Sequence, residues 1–176
     1  MRKQKMKKIL SLLAAGVLLL MSMSGCGKEA ETGKTQVAMI VKSTESAFFK
    51  SVFSGARAAA TEYNLNVTFN GTESEEVYVS PNEMVRQAME DGVDVIVFSA
   101  VDYNANAEII GQAAQRGIKI VVIDSDVNSS MVSCRIGTNN LQAGVKAAEA
   151  ALAVGEDELY IGIVNYDVNS ANGQQR

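Results

Sequence analysis

The sequence predicts a doubly wound α/β domain, a parallel sheet covered by helices on both faces. Three observations predict it. Short apolar runs at 37–41, 65–69, 93–98, 118–123, 132–136 and 159–164 read as strands, several of them apolar on both faces, as strands buried inside a parallel sheet must be. Amphipathic helical patterns separate most of these runs. A strand, helix, strand order requires crossovers that are right-handed almost without exception, and these place helices on both sides of the sheet.

Taken in order, the chain opens before the α/β pattern with five basic residues (Arg2, Lys3, Lys5, Lys7, Lys8), an apolar run over 9–23, and small residues leading to Cys26. That order is an export signal. The run is shorter than the ~20 apolar residues a membrane-spanning helix needs, and Ser, Gly and charge follow it at once. Met23-Ser24-Gly25-Cys26 resembles a bacterial lipoprotein box with Met in place of the usual Leu. The resemblance implies cleavage before Cys26 and a lipid on its thiol, hence an extracytoplasmic protein tethered to the membrane through its N-terminus. Residues 26–35 are small and polar and read as a flexible spacer.

The first helix, over 47–63, should bury Phe49, Val52, Phe53, Ala56, Ala60 and Tyr63 at spacings of three and four. The second opens at Ser80-Pro81-Asn82-Glu83, a capping box with Pro at the first helical position, and stops at Gly92. The third, over 104–116, ends on Arg116 and Gly117, a favoured C-terminal pairing. The fourth, over 141–154, carries alanines suited to close packing and ends at Gly155. In Val132-Ser133-Cys134-Arg135-Ile136, alternation places Cys134 with the apolar side chains, so a buried, inert thiol is expected.

Composition excludes several functions. Without residues 1–25, the 16 basic and 20 acidic residues become 11 against 20, a net charge of about −9. Lys and Arg are scattered singly, which argues against a nucleic-acid partner. The chain has no histidine, so it lacks the usual general base and the commonest metal ligand. With Cys26 lipidated, Cys134 has no partner for a disulfide. Neither a Gly-x-Gly-x-x-Gly nor a phosphate-cradling loop follows the first strand, which argues against nucleotides. No enzyme, cofactor or metal site is expected from these carboxylates, which lack evident catalytic partners.

Ligands of doubly wound sheets bind outside the carboxyl ends of the strands, where the winding reverses. The loops at 42–47, 71–79, 99–104 and 124–130 are therefore the binding candidates, with Ser43, Ser46, Asp102, Asn104, Asp124, Ser125, Asp126 and Asn128 among their polar residues. Asp124 closes a strand whose last four residues, Ile120 to Ile123, are all apolar, a position packing does not explain. An acid held for ligand is expected to stand unpaired in the open cleft. Asp126 is the weaker candidate, since a turn acid accounts for it.

Four segments in this order, Ser46-Ala47-Phe48-Phe49, Val121-Val122-Ile123-Asp124, Ile136-Gly137-Thr138-Asn139-Asn140 before Gly144, and Ser170-Ala171-Asn172-Gly173-Gln174-Gln175-Arg176, resemble the ribose/galactose-type periplasmic sugar-binding proteins of ABC importers. These share their fold with the ligand domains of LacI-type repressors. The resemblance implies two lobes closing over a monosaccharide, with Phe48 and Phe49 as aromatic contacts and Asp124 accepting hydrogen bonds from sugar hydroxyls. It also implies Thr138 as a hydroxyl contact at the interlobe crossing and Arg176 meeting the ligand from the second lobe. Ribose binders carry Asn at Ser46 and Arg at Ser125, so both positions bear on which sugar is bound. Phe49 also fits core packing with Val52 and Phe53, which leaves Phe48 the better ligand candidate.

The expected organisation is a signal over 1–25, a spacer over 26–35, a first lobe over 36–138 and the start of a second over 139–176, with that lobe short of the strands the fold needs. Residues 159–164 would then expose an apolar sheet edge. The expected role is a receptor delivering a monosaccharide to an ABC permease. The alternative is a sensory lipoprotein of the same fold signalling to a membrane kinase or chemoreceptor. A repressor would need a DNA-binding helix-turn-helix where 1–36 carry signal and spacer.

Overall fold

Among the described residues, β-branched and other apolar residues in short runs produce five strands, β1 (Gln36–Val41), β2 (Asn66–Gly71), β3 (Val95–Phe98), β4 (Lys119–Ile123) and β5 (Cys134–Ile136). The computed structural model describes residues 33–73, 80–155, 158–165 and 167–176. The export signal, Cys26 and most of the spacer lie outside the described residues, as do loop residues 74–79 and the Ser80 side chain on which the capping box rests. All five strands are parallel and stand in the order β2-β1-β3-β4-β5, so the doubly wound sheet is as the sequence predicts.

The pleat divides the core into two layers. Ala38 and Ile40 of β1 point to one face with Ile96, Phe98, Ile120 and Val122, where they meet α2 (Ser80–Glu90) and α3 (Ala107–Gln115) through Val85, Ala88, Ile109, Ile110 and Ala113. Met39 and Val41 point to the other face, against Phe49 and Phe53 of α1 (Ala47–Glu62). Phe53 meets Phe69 of β2 edge-on at 5.0 Å. Tyr63, expected in this layer, is 67% exposed. It follows the last helical turn as the C-cap, and Asn64 in the left-handed region carries the chain away.

Two helix ends follow their local chemistry. α3 stops at Arg116 and Gly117, with Gly117 at φ +88°. It starts three residues later than expected, because the Asp102 carboxylate accepts from the backbone N–H of Asn104 and Ala105 and holds them in a turn.

The C-terminal part corrects two expectations. β5 is an edge strand paired only with β4, and all three of its residues are exposed; Cys134 is therefore an exposed thiol rather than a buried one. α4 (Asn140–Leu152) and the short α5 (Ala171–Gln175) follow, but residues 159–164 form no strand. A parallel strand is stabilised by its ladder, and none of the five strands lies against this segment. Its apolar side chains are exposed as anticipated, with Ile163 at 88% and Val164 at 98%.

The layering makes a direct prediction. Phe98→Ala, in the fully buried face, should lower stability by about 3–5 kcal/mol. Tyr63→Ala should change it by less than about 0.5 kcal/mol. Urea unfolding followed by circular dichroism separates them; equal losses would contradict the placement of Tyr63.

Candidate functional site

The sheet order places the reversal of winding between β1 and β3, since the chain passes from β1 to β2 on one side and returns to β3 on the other. The loops after β1, β3 and β4 meet at this point. Register aligns Ile40 with Phe98 and Phe98 with Val122, so the first polar residues beyond each strand arrive together. Lys42, only 3% exposed at its side chain, brings its ammonium to 3.7 Å from Asp124 Oδ2. The Ser99 hydroxyl donates to the same oxygen at 3.1 Å. Asp124 is thus paired, contrary to the expectation of an unpaired acid.

Asp124 adopts φ +58°, the left-handed region that Asp and Asn tolerate better than other side-chain-bearing residues. Its N–H donates to Ile136 O across the ladder. Gly137 permits the close approach that follows, since a Cβ there would stand 3.1 Å from Asp124 O. The left-handed turn directs the carboxylate away from the strand path and toward Lys42 and Ser99.

A cavity of about 440 Å³ opens here, lined by Lys42, Ser46, Phe48, Asp124, Asn172 and Arg176 among others. Phe48 is 57% exposed, and Phe49, buried at 1%, supports it edge-on at 5.0 Å. Phe49 is a core residue whose edge reaches the cavity. Ser46 is the N-cap residue of α1, yet its side chain makes no cap hydrogen bond; the Ser43 hydroxyl instead accepts from the N–H of Glu45 and Ser46. A second, more apolar cavity of about 520 Å³ adjoins on the α1 side and shares Phe48, Asp124 and Arg176.

Five expected site residues, Ser46, Phe48, Phe49, Asp124 and Arg176, therefore line one cavity. Thr138 lines the adjoining one instead. Ser125 is 1% exposed and lines neither of these cavities, its hydroxyl 3.5 Å from Asn172 Oδ1. Asp126 receives Arg135 Nε at 2.8 and 3.0 Å and the N–H of Val127, which makes it a turn brace. Asn104 and Asn128 bond to each other through their side chains. Sequence reasoning missed Lys42, Ser99 and Asn140. Lys42 carried a signal, an ionisable residue directly beyond the apolar run Val37 to Val41 at the sheet's carboxyl edge.

Asp124→Ala removes the carboxylate beside a buried ammonium, the acceptor for Ser99, and the tolerance for φ +58°. A stability loss of about 2–4 kcal/mol is expected. Asp124→Asn keeps the backbone preference and a Ser99 partner, and should lose about half as much. Chemical unfolding of both variants checks the order, and an alanine variant as stable as the parent would refute it.

The model of the periplasmic binding protein domain family matches residues 37–176. A D-ribose/D-allose-binding protein of Pseudomonas aeruginosa is 28% identical, over 97% of this chain and 58% of its own length. A carbohydrate transporter solute-binding protein of Agrobacterium radiobacter, solved with D-arabinose, superposes with a TM-score of 0.77 at 25% identity, over 82% of this chain and 50% of that one. An ABC transporter solute-binding protein of Agrobacterium vitis, solved with D-fucose, gives 0.75 at 28% identity, over 80% and 50%. The chain matches 50–58% of the length of these relatives. With a parallel sheet of matching topology and a family match that covers most of its length, the chain belongs to the periplasmic binding protein domain family.

Proposed function

We propose that this chain belongs to an extracytoplasmic receptor that captures a monosaccharide between two lobes, one over 36–138 and one that starts over 139–176, and delivers it to an ABC permease. The observation that carries the reading is the convergence of an exposed aromatic ring, a carboxylate, an ammonium and a guanidinium on one cavity of about 440 Å³. A sugar needs this set. Its C–H face covers an aromatic ring such as Phe48, and its hydroxyls need charge-assisted partners once water is excluded. Asp124 keeps its second carboxylate oxygen for sugar hydroxyls while Lys42 and Ser99 hold the first. Relatives described with ribose, allose, arabinose and fucose support a pentose or hexose of this size. On this reading the site binds and releases its sugar unchanged.

The order of basic, apolar and small residues before Cys26 supports a lipid anchor outside the cytoplasm. Labelled palmitate fed to producing cells should enter the parent chain and not Cys26→Ser; equal labelling would sink the anchor. For the site, calorimetric titration of the chain with a panel of pentoses and hexoses should find one that binds. Asp124→Ala should weaken that sugar a hundredfold or more, since two charged hydrogen bonds contribute about 1.5–3 kcal/mol each. Asp124→Asn should weaken it at least about tenfold. Unchanged affinity in both variants would show that Asp124 only braces the sheet edge.

A further inference from the structure

We propose that Asn140 is a positioning residue that holds Arg176 ready for ligand; this deepens the sugar-binding reading and rests on it. Arg176 Nε donates to Asn140 Oδ1 at 2.8 Å. Asn140 is 6% exposed and is the first residue of α4, whose start is fixed by Asn139 accepting from the N–H of Gln142. One turn on, on the same helix face, Gly144 has no Cβ, and one placed there would stand 2.7 Å from Arg176 O. α4 therefore seats Arg176 twice, with the side chain held at 140 and the backbone resting on the bare surface at 144.

The hold spends only the Nε donor. A guanidinium carries five N–H groups in one plane, so four remain on the terminal nitrogens. Among the described residues the Arg176 side chain makes no other hydrogen bond, and it lines both adjoining cavities. A long side chain loses rotamer freedom when a ligand fixes it, and fixing it beforehand removes part of that cost. Asn supplies the acceptor without a charge, so the guanidinium keeps its full attraction for oxygen-rich ligands.

The test has a ligand-free and a ligand-bound arm. In the chain labelled with ¹⁵N-arginine, NMR should show the Arg176 Nε–H exchanging with water several-fold more slowly than that of Arg116. Asn140→Ala should bring it to the Arg116 rate, and Asn140→Asp, which keeps the acceptor, should preserve the protection. An Arg176 Nε–H that exchanges as fast as Arg116 in the parent overturns the proposal. In calorimetric titrations with D-ribose and D-arabinose, Asn140→Ala should weaken binding about tenfold in the parent and not at all in an Arg176→Met background. An equal loss in both backgrounds overturns it, since Asn140 would then act independently of Arg176. If the parent binds neither sugar while the protection is intact, the sugar reading fails and the Asn140 hold on Arg176 stands.

Discussion

Where the buried parallel strands stop governs the chemistry of this protein. Strands packed on both faces leave no place for charge along their buried length, so ionisable groups stand at exposed ladder positions, as Lys119 and Arg135 do, or past the strand ends. In the central strands those positions bring Lys42, Ser99 and Asp124 to one point. An ammonium almost wholly removed from water is costly without a counter-charge. The Asp124 carboxylate supplies one, and its left-handed backbone is what aims it there. The same pair that makes the sheet edge tolerable thus places a charged group in the cavity.

Around this pair the loops are tied down by their own side chains. Asp102 holds its turn, Asn106 bonds Asn82, Asn104 bonds Asn128, and Asp126 clamps Arg135. Loop polar groups spent on one another are unavailable to ligand, which narrows the contacts to those left facing the cavity. Preorganisation of this kind lowers the ordering cost of binding. Phe48 is held similarly, by an edge contact with a buried ring rather than by burial of its own.

The segment beyond β5 has a different character. Leu141, Leu152, Tyr160, Ile163 and Val164 are exposed, and among the described residues no element covers them. Its contacts with the loops at the sheet's carboxyl edge include Tyr103 N–H to Asn169 O and the Ser125 hydroxyl near Asn172 Oδ1, and Ser170 and Ala171 are buried. Within the segment, Arg176 reaches Asn140.

The sequence by itself determined the parallel sheet and, except at 159–164, its strand positions to within a few residues, because burial on both faces writes apolar runs and the winding rule leaves few topologies. Its motifs also singled out Ser46, Phe48, Phe49, Asp124 and Arg176, which meet in one cavity. Partners across strands were not legible. Nothing in a linear pattern tells that Lys42 would face Asp124, that Asp126 would pair with Arg135, or that Asn140 would take Arg176, since each pair is made by register and turn direction. Cys134 was misread for the same reason: alternation reports which side chains could be buried, and only the neighbouring elements decide whether they are; 159–164, though exposed as expected, forms no strand because it finds no ladder partner.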